Sequence, residues 1–287
     1  MGGLGNQMFQ YAAGRALSLR LNTELKLDNS WFSSAGSDTS RAFMLQCFPI
    51  VIREASLDEV NRTIFKKQSI LQKILGKKKK HSASYKAQPS FDFWPDFGSF
   101  GSPVYLFGYW QNERYFSGIS STIKQDFTFP AFSSSRAKDI CQRIKTSSCS
   151  ISIHIRRGDY VENPDTNRFH GVCSLEYYEK ALRMITGKYN IPPELFLFSD
   201  DPAWARNNFN TYGYPSVIVD IPQHKDAPYN DMHLMSLCQH HIIANSSFSW
   251  WAAWLSCGDG MVIAPKRWFA EETIQQYNPS PSSWITI

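Results

Sequence analysis

Arg156 and Arg157 stand side by side in the run Ser150-Ile-Ser-Ile-His-Ile-Arg-Arg-Gly-Asp159, with His154 shortly before the pair and Asp159 shortly after it. An arginine fork gives two parallel charge-assisted bonds to a phosphate and stays ionised when partly desolvated, so adjacent guanidiniums suit an anion. The plainer alternative is that one arginine pairs with Asp159 and the other is solvated, and these residues alone leave both open. Asp200, in Phe198-Ser-Asp-Asp-Pro202, supplies a carboxylate of the kind that ribose hydroxyls or the N–H donors of guanine require. Its neighbour Asp201 precedes a proline suited to a first helical turn and reads as a helix N-cap. The stretch Asn245-Ser-Ser-Phe248 brings small hydroxyl residues to a strand-to-helix junction. Free backbone N–H groups and the hydroxyls of Ser246 and Ser247 converge there, and such a spot suits a phosphate.

These groups need a scaffold that delivers them to one place. Ile151, Ile153 and Ile155 recur at period two, which predicts a strand entering a core over 150–155. Further strands are expected over 194–198, 216–220, 241–244 and 261–264, with helices over 175–185, 202–209, 231–238 and 248–255. Regular alternation of this kind predicts a doubly wound parallel sheet, whose ligands sit beyond the carboxyl ends of the strands. Gly158, just past the first strand, is expected to allow a tight turn. At the start of the chain, Met1-Gly-Gly-Leu-Gly-Asn-Gln-Met-Phe-Gln10 puts Gly3 and Gly5 before Met8, Phe9, Ala12, Ala13, Ala16 and Leu17 at helical spacing. This predicts a glycine loop leading into an amphipathic helix, open to close approach by a ligand. Such a loop normally follows a strand, so the expectation is that the first strand is missing or lies upstream of Met1.

The boundary between two domains is expected near Pro130 and the serines 133–135, with a helix over 136–145 crossing it, giving domains of residues 1–145 and 146–287. The first should carry the glycine loop, and the second a nucleotide, which sheets of this kind most often bind. Pro-, Ser-, Gly- and aromatic-rich residues 82–102 predict a long ordered loop helping to shape the acceptor site.

The composition is 43% hydrophobic and 19% charged, that of a globular protein rather than a disordered one. The net charge of +5 is concentrated in Lys66, Lys67, Lys73 and Lys77 to Lys80, without interleaved aromatics, which argues against nucleic acid as a partner. Residues 64–80 read either as a basic amphipathic helix resting on an anionic membrane or as a solvated surface hairpin. Six cysteines without a CxxC pair indicate neither a disulfide framework nor a zinc site, and they are expected to be reduced and mostly buried. No apolar run approaches about 18 residues and no signal peptide pattern opens the chain, so a cytoplasmic protein is expected, with peripheral contact with the inner face of the membrane through Lys66–Lys80.

Three blocks carry a resemblance: Gly-Gly-Leu-Gly-Asn-Gln-Met-Phe-Gln at the start, His-Ile-Arg-Arg-Gly-Asp in the middle and Asn-Ser-Ser-Phe-Ser-Trp-Trp near the end. In this order they resemble the bacterial and animal alpha-1,2-fucosyltransferases, densely over 150–255 and 2–21 and thinly between about 30 and 145. The resemblance implies a GT-B-like pair of Rossmann-like α/β domains with GDP-fucose in the cleft. It implies an inverting, metal-independent transfer of L-fucose to the 2-hydroxyl of a terminal galactoside in a bacterial O-antigen or capsule, on a lipid-linked or free acceptor. The chain has no Asp-X-Asp to hold a divalent cation on a diphosphate. By position, the resemblance makes Arg156 the ligand of the donor β-phosphate, flanked by His154 and Arg157. It gives Asp231 to guanine, Ser246, Ser247 and Phe248 to the phosphate turn, and Asn6, with Gly3 and Gly5 beside it, to the donor sugar and phosphate. Asp159 is either the base or the partner that orients Arg157, and a loose, oxocarbenium-like transition state is a third alternative that needs no strong base.

Two alternatives stand beside this reading. One is a fucosyltransferase of another linkage. The other is a metal-dependent hydrolase using Asp231, His233, His240 and His241, whose spacing fits no common zinc motif.

Overall fold

The computed structural model describes residues 1–33, 42–69, 75–158, 161, 163–189, 191–221 and 229–287. The chain forms two compact units, Met1–Thr128 and Phe129–Ile287. The division therefore falls before residue 145. The helix Ser135–Thr146 buries Ala137, Ile140 and Ile144 within the second unit, so it belongs to that core rather than crossing between the two.

In the first unit the helix α1, Leu4–Leu21, starts at once behind Gly3, its N-cap, and ends where Asn22 takes the left-handed conformation at φ 49°. Leu4, Met8, Phe9, Tyr11, Ala12, Ala13 and Leu17 are buried along with Gly5, Gln7, Gly14 and Ser18, so α1 is enclosed almost all round instead of along one stripe. After a short turn, α2 (Ser30–Ser33), comes α3, Leu57–Ile64, opened by a capping box in which Ser56 and Glu59 satisfy each other's backbone N–H groups. Two short parallel strands follow, β1 (Tyr85–Ala87) and β2 (Tyr105–Phe107). The unit closes with α4, Ser120–Asp126.

Between α3 and β1 the lysine-rich stretch takes the hairpin form. Phe65 bridges His81 in antiparallel fashion, and Lys66 donates its backbone N–H to the Lys80 carbonyl at 2.9 Å. A helix cannot make those bonds. Residues 70–74 of this stretch lie outside the described set.

The second unit opens with the helix just described, α5 (Ser135–Thr146), and is built on a six-stranded parallel sheet of order β5-β4-β3-β6-β7-β8. These strands are β3 (Ser150–Ile155), β4 (Glu194–Ser199), β5 (Ser216–Val219), β6 (His240–Ile242), β7 (Val262–Ala264) and β8 (Ile285–Thr286). The chain runs outward from β3 to β5 on one side, returns to β6 beside β3, and then runs outward to β8. The point of reversal between β3 and β6 is where a sheet of this kind opens a crevice for ligands.

Between the strands lie α6 (Pro164–His170), α7 (Leu175–Lys188), α8 (Pro202–Asn208), α9 (Asn230–Ser236) and α10 (Ser247–Leu255). β3 is buried along its whole length. Its isoleucines pack with Tyr178, Ala181, Leu182 and Ile185 of α7 and with Ala205 of α8. Its alternate residues Ser150, Ser152 and His154 point to the opposite face, as strand geometry requires. Burying each isoleucine contributes about 1.5–3 kcal/mol. α9 packs against α5, α10 and β4. The cysteines are free thiols, and of the six only Cys149 and Cys238 are buried, fewer than the composition suggests.

Candidate active site

The register of the sheet assembles the site. β3 and β4 pair through Ile153↔Leu197 to Ile155↔Ser199, so the next residues along the two strands are Arg156 and Asp200. They meet: Arg156 Nη1 lies 2.9 Å from Asp200 Oδ2, with both side chains largely shielded at 23% and 21% exposure. The second oxygen, Oδ1, accepts the backbone N–H of Arg157 at 2.8 Å. One carboxylate thus orients the first guanidinium and the backbone of the second arginine.

Gly158 serves this arrangement by its size. A Cβ there would stand 2.5 Å from Asp200 Oδ2. Its φ is not positive, so the glycine is required for close approach to the carboxylate and not for the turn expected from the sequence.

The Arg157 guanidinium carbon stands over the Trp204 ring, 3.8 Å from its centroid. Trp204 is on α8, whose N-cap is Asp201, accepting the Trp204 backbone N–H at 2.9 Å. The cap therefore fixes the start of the helix that carries the platform. Arg157 Nε is buried and has no hydrogen-bond partner among the described residues.

His154 is buried on the other face of β3, 6.1 Å from the Phe248 ring. Burial, ahead of the opposing charges of Asp200 and Arg156, lowers its pKa to about 4, so it is neutral at pH 7. Its backbone carbonyl accepts the Tyr178 hydroxyl at 2.9 Å. The neighbouring Tyr177 hydroxyl reaches the Ile243 carbonyl at 2.7 Å and the Ile263 carbonyl at 3.1 Å. Two adjacent tyrosines of α7 thus tie down the ends of β3, β6 and β7.

Beyond β6 the chain enters α10 through Asn245 and Ser246. Asn245 is buried, and its amide donates to the carbonyls of His170, Gly171 and Trp268 at 2.9, 3.3 and 3.2 Å. Its Oδ1 accepts the Cys173 thiol at 3.6 Å. The amide is thus committed within the protein, where it holds the junction in place. Ser246 caps α10 by accepting the Phe248 backbone N–H at 3.3 Å. Ser247 and Phe248 are half-buried in the first turn, where N–H groups lack intrahelical partners. With two arginines, one carboxylate and a helix start around the reversal of strand order, the strand ends favour an anion.

Asp231 lies half-buried at the beginning of α9. Burial first, and the negative charge of Asp220 second, raise its pKa to about 6. His233 is stacked between Phe129 and Phe132, at 4.6 and 4.2 Å between ring centroids. His240 Nδ1 accepts the Met261 backbone N–H at 2.9 Å, and His241 Nδ1 lies 2.9 Å from Ser152 Oγ. The three histidines of the hydrolase alternative have separate structural partners. Among the described residues no three His, Cys, Asp or Glu side chains converge as metal ligands.

In the first unit, Asn6 Oδ1 accepts Gln111 Nε2 at 2.7 Å, and a Cβ on Gly2 would come within 2.6 Å of Asn6 Nδ2. Gly3 has open space where a side chain would stand, and Gly5 is buried in the first turn of α1. Asp159 lies outside the described residues. Nothing in the residue order marks Trp204, Tyr177 or Tyr178 as site-forming residues. An aromatic three positions past an N-cap and two adjacent tyrosines on a helix are both common core features.

The profile of glycosyl transferase family 11 matches residues 49–287. Over its whole length the chain is 36% identical to an alpha-1,2-colitosyltransferase of Escherichia coli, covering 96% of that protein. It is 34% identical, again over its whole length, to the O-antigen biosynthesis glycosyltransferase WbnK of Escherichia coli, covering 98% of it. Over 57% of the chain it is 28% identical to the galactoside 2-alpha-L-fucosyltransferase SEC1 of Bos taurus, covering 45% of that protein.

Proposed function

This chain belongs to glycosyl transferase family 11, and we propose that it moves L-fucose from GDP-fucose to the 2-hydroxyl of a terminal galactoside in a bacterial surface glycan. The observation that carries the reading is the Arg156–Asp200 pair beside the capped start of α10 at the reversal of the sheet. That arrangement suits the diphosphate of a nucleotide sugar. As the bond between C1 of fucose and the β-phosphate oxygen breaks, negative charge grows on the phosphate. Arg156, the backbone N–H of Ser247 and the Ser246 hydroxyl proton stabilise it. Asp200 holds the Arg156 fork in place without joining the chemistry. Asp231 accepts N–H donors of guanine in its ionised form, and neutral His154 offers a ring nitrogen beside the phosphate turn. The acceptor hydroxyl attacks from the opposite face, so the β-linked donor gives an α-linked product. The transfer uses no metal ion, because arginine and helix dipoles neutralise the diphosphate.

A second donor is favoured by one specific finding, the 36% identity to a colitosyltransferase. Colitose is fucose without its 3-hydroxyl, and a site that accommodates one sugar differs from the other by a single hydrogen-bonding group.

No helix among the described residues is long and apolar enough to cross a membrane. The enzyme works in the cytoplasm, with its lysine hairpin resting on the anionic inner face of the membrane near its lipid-linked acceptor.

The experiment is GDP release in the presence of EDTA, with GDP-fucose or GDP-colitose as donor and lactose present or absent. Lactose-dependent release from GDP-fucose, with an α-1,2 linkage in the product by NMR, is the expected result. Release from GDP-colitose alone transfers the reading to the second donor. Loss of activity with EDTA that added Mg²⁺ or Mn²⁺ restores overturns the metal-free mechanism.

A further inference from the structure

Within the first unit, a cavity of about 360 Å³ opens between residues 83–86, the 3₁₀ turn Pro95–Ser99 with Trp94 before it, and residues 100–103. Small-molecule sites occupy about 300–1,000 Å³, and this cavity lies at the lower end, suited to a sugar ring or two. Two aromatic residues, Trp94 and Phe100, are part of its lining, and the Trp94 ring is packed against a buried core. Trp94 lies parallel to the buried Trp110, with 6.3 Å between ring centroids, and meets the buried Phe100 edge-on at 4.9 Å. The Trp94 backbone N–H donates to the Tyr115 hydroxyl at 2.7 Å. The ring cannot turn without disturbing this core, yet Trp94 is only partly buried.

The rim is polar and close to neutral. Lys86 Nζ stands 5.0 Å over the Phe100 ring, and Asp96, also in the lining, is exposed. Ser99 donates its hydroxyl to the Asp96 carbonyl at 2.7 Å and keeps its lone pairs for an incoming O–H donor. A rigid aromatic face with one carboxylate, one ammonium and serine hydroxyls matches a pyranose. The apolar C–H face of such a ring lies on the indole, and its hydroxyls both donate and accept around the edge. A phosphate gains little here, because Asp96 offsets Lys86.

We propose that this cavity binds a neutral pyranose of the acceptor glycan, seated on Trp94 and held by Asp96, Lys86 and Ser99. The assignment of that sugar to an acceptor rests on the transfer reading above; the sugar site itself does not.

The test is retention of oligosaccharides on a glycan array, without nucleotide, by the intact protein and by Trp94→Ala and Asp96→Asn. The expected result is a set of retained glycans whose binding weakens by about tenfold or more in Trp94→Ala, as for loss of an aromatic anchor. Asp96→Asn should weaken the same set with an unchanged melting temperature, which keeps the test open if Trp94→Ala does not fold. Unchanged retention in both variants, or no glycan retained by the intact protein, overturns the proposal. GDP release from GDP-fucose in the same preparations separates the two readings. Trp94- and Asp96-dependent retention without turnover of any donor leaves the sugar site standing and removes the transferase assignment, and turnover with unaltered retention does the reverse.

Discussion

Arg156 and Asp200 are joined at 2.9 Å because the β3–β4 register carries them one step past its last pair, Ile155↔Ser199. The carboxylate spends its other oxygen on the Arg157 backbone, so it acts as a brace for both arginines. Arg156→Lys is expected to lower kcat/KM by about 10²–10³-fold, the loss typical of one anion-stabilising donor, because a point charge cannot span both Asp200 and a phosphate. Asp200→Ala should cost about tenfold to a hundredfold through misplacement of the fork. Its melting temperature should fall as well, since the largely shielded Arg156 guanidinium and the Arg157 backbone N–H both lose the carboxylate, a cost of about 1–3 kcal/mol. Steady-state kinetics with thermal melts check both, and full activity in either variant removes that residue from the assignment.

Asp231 carries a pH signature. Its carboxyl holds a proton up to about pH 6, so below that pH it presents a neutral acid where guanine would meet a carboxylate. GDP affinity should fall between pH 7 and pH 5. In Asp231→Asn the affinity should be low at both values and almost independent of pH. Calorimetric titration of GDP at the two pH values decides, and an equal pH dependence in the variant would show that another group is responsible.

Stability should depend on pH through buried histidines. Burial lowers His154 and His233 to about 4 and His241 to about 3, from an ordinary 6.5. The unfolded chain takes up protons at these positions near pH 6.5 and the folded chain does not, so their contribution is complete above that pH and is lost as pH falls toward 4. Asp231 works the other way. Its raised pKa gives stability that is complete below about pH 3.8 and is lost as pH rises through about 6. Between pH 6 and 4 the aspartate therefore offsets one of the three histidines, at about 1.4 kcal/mol per proton per pH unit. Urea midpoints should fall from pH 7 to 4.5, and more steeply in Asp231→Asn; a parallel fall in the two proteins would contradict the Asp231 contribution.

The tyrosine pair should separate stability from positioning. Tyr178→Phe withdraws the donor that holds the His154 carbonyl, a loss of about 1–3 kcal/mol for a buried group. Because that carbonyl stands two residues before Arg156, kcat should fall while the KM for donor stays close to that of the parent. Denaturation curves with kinetics check this, and a variant that loses stability with unchanged kcat would make Tyr178 a purely structural residue.

The lysine hairpin should bind anionic vesicles in a salt-dependent way. Each lysine near such a surface contributes about 1 kcal/mol, an attraction that fades over a Debye length of about 10 Å at 0.1 M salt. Replacing Lys77 to Lys80 by glutamine should abolish sedimentation with phosphatidylserine vesicles and leave turnover of a soluble acceptor intact. Binding unaffected by salt or by the substitution would end the membrane reading.

Local chemistry was legible from residue order wherever neighbours in sequence decide it. The isoleucine alternation of β3, the N-cap at Asp201 and the serine turn before α10 each involve contacts within a few positions. The order of strand and helix segments in the second unit follows from the same periodicities. Tertiary structure alone decided the rest, because it concerns residues distant in the chain. The pairing of Arg156 with Asp200 depends on strand register, which no local pattern encodes. The need for Gly158 arises from the carboxylate of Asp200, far along the chain. The commitment of the Asn245 amide follows from three carbonyls that only the folded sheet brings to it. α1 reads as amphipathic because its polar positions, Gln7 and Ser18 among them, look like a solvent face until packing buries them. The sequence determined which groups stand at the strand ends, and packing determined which of them hold one another and which are left to meet a ligand.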